Sequence, residues 1–152
     1  MKRVLTIIVG LMLAATLTAC GGGNKEVDVL AVGQDLSSKI LYQDELMEMD
    51  IETAMMFIEL SGFTPVKGVA YEGSGATAEE IIAIECENAD DADKAASALN
   101  ARVAEQIECF TDYVPEELVK LNNAVVIKNG KYAFLSVSND PDTAKQIING
   151  YF

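Results

Sequence analysis

Ala124-Val125-Val126-Ile127-Lys128-Asn129-Gly130-Lys131-Tyr132-Ala133-Phe134-Leu135-Ser136-Val137-Ser138 is the stretch on which the fold turns. Asn129-Gly130, set between two runs rich in β-branched and aromatic residues, is a type I′ turn signal and predicts a hairpin. A two-residue loop there places Lys128 opposite Lys131, Ile127 opposite Tyr132 and Val125 opposite Phe134. Val126 with Ala133 and Ala124 with Leu135 then point to the other side. Both faces are therefore apolar, whereas an antiparallel sheet packed on one side alternates apolar with polar. Something must cover the second face. Helices of the chain itself are one answer; the other is a face left partly open to a partner, with Tyr132 and Phe134 at its centre.

Upstream, Pro65 to Tyr71 and Glu80 to Glu87 read as two more strands, joined through Glu72-Gly73-Ser74-Gly75 and Ala76 to Ala78, and predict a second hairpin. Gly73-Ser74-Gly75-Ala76-Thr77-Ala78 also fits the loose dinucleotide pattern G-x-G-x-x-A. That pattern needs a helix to open there, and Ile81, Ile82, Ala83 and Ile84 are strand-like. Helical periodicity marks the rest. Val29, Val32, Leu36 and Ile40 share one face, with Asp35 and Lys39 as an outer i,i+4 pair, while the segment from Leu41 to Asp50 reads as acidic and irregular. Asp50 suits the cap of a helix carrying Ile51, Ala54, Met55 and Ile58. From Asp90 to Phe110 the stripe Ala92, Ala95, Leu99, Val103, Ile107 and Phe110 predicts the longest helix, with Asp90, Asp91 and Asp93 suited to its positive end. A short helix follows Pro115, and a last one capped near Asp140 bears Ala144, Ile147, Ile148 and Tyr151. The fold class expected is α+β: an antiparallel sheet of two hairpins packed with several helices, with the 90 to 110 helix on one face.

The N-terminus reads as an address. Lys2 and Arg3 precede an apolar run from Val4 to Leu17, and Leu17-Thr18-Ala19-Cys20 is a lipobox, followed by Gly21-Gly22-Gly23-Asn24. The organisation expected is a signal peptide over 1–19, a lipid-modified Cys20 with a glycine tether over 20–25, and one domain over 26–152. The chain would then sit on the outer face of the cell membrane, in contact with the bilayer through acyl chains on Cys20.

Once Lys2 and Arg3 leave with the signal, 9 of the 11 basic residues stand against all 24 acidic ones, a formal charge of −15. Such a surface repels nucleic acid and anionic headgroups and favours cations, basic proteins or neutral ligands. The chain contains no histidine. That removes Ser-His and Cys-His nucleophile pairs and most zinc sites; no Ser-x-x-Lys occurs, and Gly130-Lys131 lacks the upstream glycine of a phosphate loop. Cys86 and Cys109 invite a disulfide in an exported domain. They fall near opposite ends of the predicted long helix, so two separate thiols are expected.

Tyr113-Val114-Pro115-Glu116-Glu117, Leu121-Asn122-Asn123-Ala124-Val125-Val126 and Gly130-Lys131-Tyr132 resemble a family of small lipoproteins from Gram-positive bacteria catalogued only as a domain of unknown function. Gly75-Ala76-Thr77-Ala78-Glu79-Glu80-Ile81 is similar to that family's other recurring stretch. The resemblance implies a lipoprotein with a single compact domain and supplies no catalytic residue, cofactor or ligand.

The function expected is therefore a non-catalytic binding or interaction module acting on a protein or envelope component, with Tyr113, Tyr132 and Phe134 as candidate contact residues and no cofactor or metal. Two alternatives stand beside it. A carboxylate-based hydrolase needs two acids facing each other across a cleft. Extracytoplasmic metal handling would rest on Met47, Met49, Met55 and Met56 for Cu(I), or on surface acids for calcium.

Overall fold

A computed structural model describes residues 26–152. The expected signal peptide, lipid-modified Cys20 and glycine tether lie outside the described residues. The chain forms α1 (Val29–Lys39), β1 (Met47–Asp50), α2 (Ile51–Phe57), β2 (Pro65–Glu72), β3 (Glu80–Cys86), α3 (Ala89–Tyr113), a 3₁₀ turn (Pro115–Glu117), α4 (Leu118–Leu121), β4 (Val125–Asn129), β5 (Tyr132–Val137) and α5 (Pro141–Asn149). One antiparallel sheet runs in the order β1-β2-β3-β5-β4. Both expected hairpins are present, joined edge to edge through β3 and β5.

Strand alternation divides the core in two. Ala70, Ile82, Ile84, Ala133 and Leu135 face α2 and α3, whose Ile51, Ala54, Ala92, Ala95, Leu99 and Phe110 are buried against them. Val69, Tyr71, Ile81, Ala83, Val125, Tyr132 and Phe134 face the other way, onto Val29, Val32 and Leu36 of α1 and Ala144 and Ile148 of α5. Helix caps fix where these layers begin. The Asp28 carboxylate accepts from the Leu30 N–H, Asp50 from Thr53, Asn88 from Asp91 and Asp140 from Thr143. The Asp35–Lys39 pair closes at 2.7 Å.

Three expectations need correction. The segment read as irregular contains β1, an edge strand of four residues in which Met47, Glu48, Met49 and Asp50 pair with Glu72, Tyr71, Ala70 and Val69. Its Met and Glu residues have little preference for strand; pairing with β2, and the Tyr71 hydroxyl donating to Glu48 at 2.8 Å, hold it there. The second correction is the register of the β4–β5 hairpin, in which Asn129 pairs with Tyr132 and Ile127 with Phe134. The loop is Gly130-Lys131, and φ is positive at Gly130 (56°) but not at Asn129 or Lys131, as a type II′ turn with leading glycine requires. A slip of two residues keeps every side chain on its expected face.

The third concerns the open face. Tyr132 is 3% exposed and Phe134 fully buried, so neither is a contact residue. α1 and α5 cover them, Phe152 packs against both rings at centroid distances of 5.9 and 6.2 Å, and the Tyr132 hydroxyl accepts from the Val27 N–H at 3.0 Å.

α1 lies tight against the sheet at Gly33, where a Cβ would lie 2.6 Å from Val69 Cγ1 and 3.2 Å from the Tyr71 ring. Both neighbours are buried and cannot swing away. Gly33→Ala gains helix propensity of roughly 1 kcal/mol, but overpacking typically costs 1–3 kcal/mol or so. The expected outcome is net destabilisation by about 1 kcal/mol in urea unfolding; a stabilised variant would show that α1 does not press on β2 here.

Candidate functional site

The β2–β3 hairpin and α3 enclose a cleft of about 200 Å³. Its chemistry begins with two residues that break the strands' alternation. Glu72 ends β2, Glu80 begins β3, and they are direct cross-strand partners on the face that carries Ala70 and Ile82. Positions that should be apolar hold carboxylates. Above them α3 places Arg102, Gln106, Cys109, Phe110 and Tyr113 on the cleft side, at spacings of three and four residues that keep them on one helical face.

Arg102 Nε donates to Glu80 Oε1 at 3.2 Å, and its Nη2 lies 3.9 Å from Glu72 Oε2. With its amide turned so that the oxygen faces the guanidinium, Gln106 accepts from Nη2 and Nη1 at 2.6 and 2.9 Å. The Glu72 side chain is 13% exposed and that of Glu80 4%. Two carboxylates, one buried and one largely so, beside a single guanidinium leave one negative charge uncompensated. Burial, reinforced by the charge and hydrogen bond of Glu80 and only partly opposed by Arg102, pushes the Glu72 carboxyl up to about 9. Glu72 therefore holds a proton at neutral pH, and its Oε1 has no hydrogen-bond partner.

The sign of the resulting pH effect follows directly. A carboxyl raised on folding retains a proton that the unfolded chain releases, so its contribution is full below the ordinary glutamate range and is lost as pH rises toward 9. Glu72→Gln removes this dependence while keeping a donor in place. The variant should gain on the parent in thermal stability as pH rises from 5 to 8.5; parallel curves would place Glu72 in an ordinary solvated state.

The opposite wall of the cleft is fixed from behind. Glu79 Oε2 accepts from the Gln43 and Asp44 N–H groups at 2.8 and 2.9 Å, and Glu117 Oε2 accepts from the Ala78 N–H at 2.8 Å. Lys120 joins them, with Nζ 2.9 Å from Glu117, 3.1 Å from Glu79 and 2.6 Å from the Gln43 side-chain oxygen. The Glu79 contact is an ion pair out of line for a hydrogen bond. Asp44 accepts from the Ser74 N–H and hydroxyl at 2.7 and 2.6 Å. The connection over 73–79 is thus held by a buried Glu–Lys–Glu group, with Ala78 packed into the core beside it.

Of the contact residues expected from sequence, only Tyr113 reaches this site. It is the last residue of α3, 67% exposed at the cleft rim, with Phe110 packed beside it at 6.1 Å. Tyr132 and Phe134 lie on the opposite face of the sheet. Cys109 is an exposed free thiol of the cleft wall, while Cys86 is a separate, buried thiol whose burial raises it to about 11. Met47 and Met56 are exposed, and Met49 and Met55 pack on the core. Asp91 pairs with Lys94 at 2.6 Å and Asp93 with Lys128 at 2.9 Å. Among the described residues no three His, Cys, Asp or Glu side chains are grouped to hold a metal ion. The 73–78 stretch opens a strand and not a helix, so the dinucleotide pattern lacks its structural context.

Fold and site together define an α+β domain with helices on both faces of an antiparallel sheet and one half-buried carboxyl-lined cleft. The chain belongs to the family described as Domain of unknown function (DUF4358), whose model matches residues 44–138. No curated protein and no solved structure matches the chain. The matched span runs from just before β1 to the end of β5 and contains every residue of the cleft, while α1 and α5 lie outside it. The stretches Gly75 to Ile81 and Tyr113 to Glu117, far apart in sequence, meet at this cleft through Ala78, Glu79 and Glu117.

Proposed function

We propose that this chain is a lipoprotein anchored through Cys20 to the outer face of the cell membrane, and that its domain is a non-catalytic binding module with the cleft beneath Tyr113 as its binding site. The observation that carries the binding assignment is the combination of an exposed aromatic rim at Tyr113 with a largely buried Glu72 carboxyl below it, one oxygen of which has no hydrogen-bond partner. Ligand sites join apolar walls to a few convergent polar groups in this way. The anchor rests on the basic start, apolar run and lipobox of the first twenty residues. Among the described residues no helix is long and apolar enough to cross a membrane.

The carboxylate-hydrolase alternative finds less support. Glu72 and Glu80 are neighbours on one wall and share one arginine. Glycoside hydrolysis needs its two acids on either side of the scissile bond, separated by about 5 Å or more. Metabolic labelling with an alkyne palmitate analogue tests the anchor: the full chain should incorporate the label and Cys20→Ser should not. Label retained in Cys20→Ser would overturn the lipobox reading.

A further inference from the structure

The cleft's own chemistry narrows what it accepts, granted that it is the binding site proposed above. Arg102 is already engaged by Glu80 and Gln106, and Lys120 is buried among Glu79, Glu117 and Gln43. Both cations of this region are already paired with carboxylates of the chain. A carboxylate or phosphate entering there would also come up against the carboxylates of Glu79 and Glu80. Glu72 Oε1 is a deep oxygen of the cleft with no hydrogen-bond partner, while Glu79 Oε1, which also makes no hydrogen bond, lies 3.1 Å from the Lys120 ammonium. The rim above it is aromatic, with Tyr113 exposed and Phe110 packed at 6.1 Å. A volume of about 200 Å³ holds a compact molecule rather than a folded segment.

We propose that the cleft binds a small organic ammonium, with the charged nitrogen at Glu72 and a compact apolar or aromatic body against Tyr113. The proton balance is explicit. Glu72 is neutral in the empty protein, and an arriving ammonium takes over the role of its proton, so one O–H bond breaks, one proton leaves to solvent, and the resulting carboxylate pairs with the ligand. Glu80 of β3 and Arg102 of α3 adjoin Glu72 directly, and the other titratable groups of the cleft lining are Glu79 from the connection and Cys109 and Tyr113 from α3. β1 places Met47 opposite Glu72 and adds no charge at that pair. With Arg102 neutralising Glu80, an ionised Glu72 is the charge the ammonium would meet. The formal charge of −13 on the whole chain favours the approach of a cation from solution.

Three probes of matched size separate the possibilities: phenethylamine, 2-phenylethanol and 3-phenylpropanoate, each titrated into the full chain in a nonionic detergent and followed by calorimetry and amide chemical shifts. The expected result is that phenethylamine binds at least tenfold more tightly than the other two and shifts resonances within 72–80 and 102–113. Its affinity should rise about tenfold per pH unit from pH 6 to 8, with one proton released, as displacement of a single proton requires. Glu72→Gln should abolish that pH slope and weaken phenethylamine at least tenfold, and Tyr113→Ala should weaken it without changing the slope. Preferential binding of the alcohol or carboxylate in the cleft would overturn the ammonium assignment and leave the cleft as the binding site. Phenethylamine shifting only resonances elsewhere would overturn both, and absence of phenethylamine binding would overturn the ammonium assignment.

Discussion

Phe134→Ser should lower the unfolding free energy by about 3 kcal/mol or more, the usual cost of removing a large aromatic side chain from a packed core. Phe134 has no exposed surface, pairs with Ala83 and Ile127 across the sheet, and packs edge-on to Phe152. The serine hydroxyl would add a polar group at a site lined by α1, α5 and the sheet. For a domain of this size the expected fall in Tm is roughly 10 °C. Ligand binding in the cleft should persist in the fraction that remains folded, because Phe134 and the cleft lie on opposite faces of the sheet. A loss below about 1 kcal/mol would mean that the α1–α5 layer does not close over this face.

Lys120→Met is the second change expected to be severe. It leaves Glu79 and Glu117 buried together without their cation, and breaking such a group by removing one partner typically costs about 3–5 kcal/mol. Non-additivity supplies the control. Converting Glu79 and Glu117 to Gln in the Lys120→Met background removes the uncompensated charges, so the triple variant should be more stable than the single one. Glu79 and Glu117 also hold the connection over 73–79 through the N–H groups of Gln43, Asp44 and Ala78. Lys120→Met should therefore raise amide exchange in that connection before the strands respond. A single variant as stable as the parent would remove the electrostatic account of how this wall is held.

Much of the fold was legible because its elements carry local signals. Asn129-Gly130 and the Glu72 to Ala78 connection marked the hairpins, and Asp50 and Asp140 marked helix starts that the structure confirms. The apolar stripe from Ala92 to Phe110 marked α3. What escaped was set by distant partners. β1 is a strand because β2 offers it an edge, and the hairpin loop is Gly130-Lys131 because the positive φ falls on Gly130 alone. Cover of the second face by helices of the chain was one of the two answers the sequence offered and is the one found; that α1 and α5 supply it together, from the two ends of the domain, no local pattern shows.

The cleft was the least legible feature. Acidic residues at strand ends carry no local sign of burial, yet Glu79 and Glu80 are buried and Glu72 largely so because Arg102 and Lys120 arrive from elsewhere in the chain. A signal was present. Glu72 and Glu80 occupy positions that the alternation through Ala70 and Ile82 assigns to the core, and Arg102, Gln106 and Tyr113 form a second stripe along α3 beside the apolar one. Tyr113 was picked out as the aromatic of a recurring stretch; its place at the rim of a cleft needed the full length of α3.

The central claim, that the cleft under Tyr113 is where this domain meets its ligand, is tested most directly by photo-crosslinking in intact cells. A benzophenone amino acid would replace Tyr113 in one strain and Phe57, 78% exposed on α2, in another, and intact-mass spectrometry of the recovered chain would report adducts. The account predicts a defined adduct from position 113, diminished by Glu72→Gln, and none from position 57. Adducts from position 57 with none from 113 would contradict it.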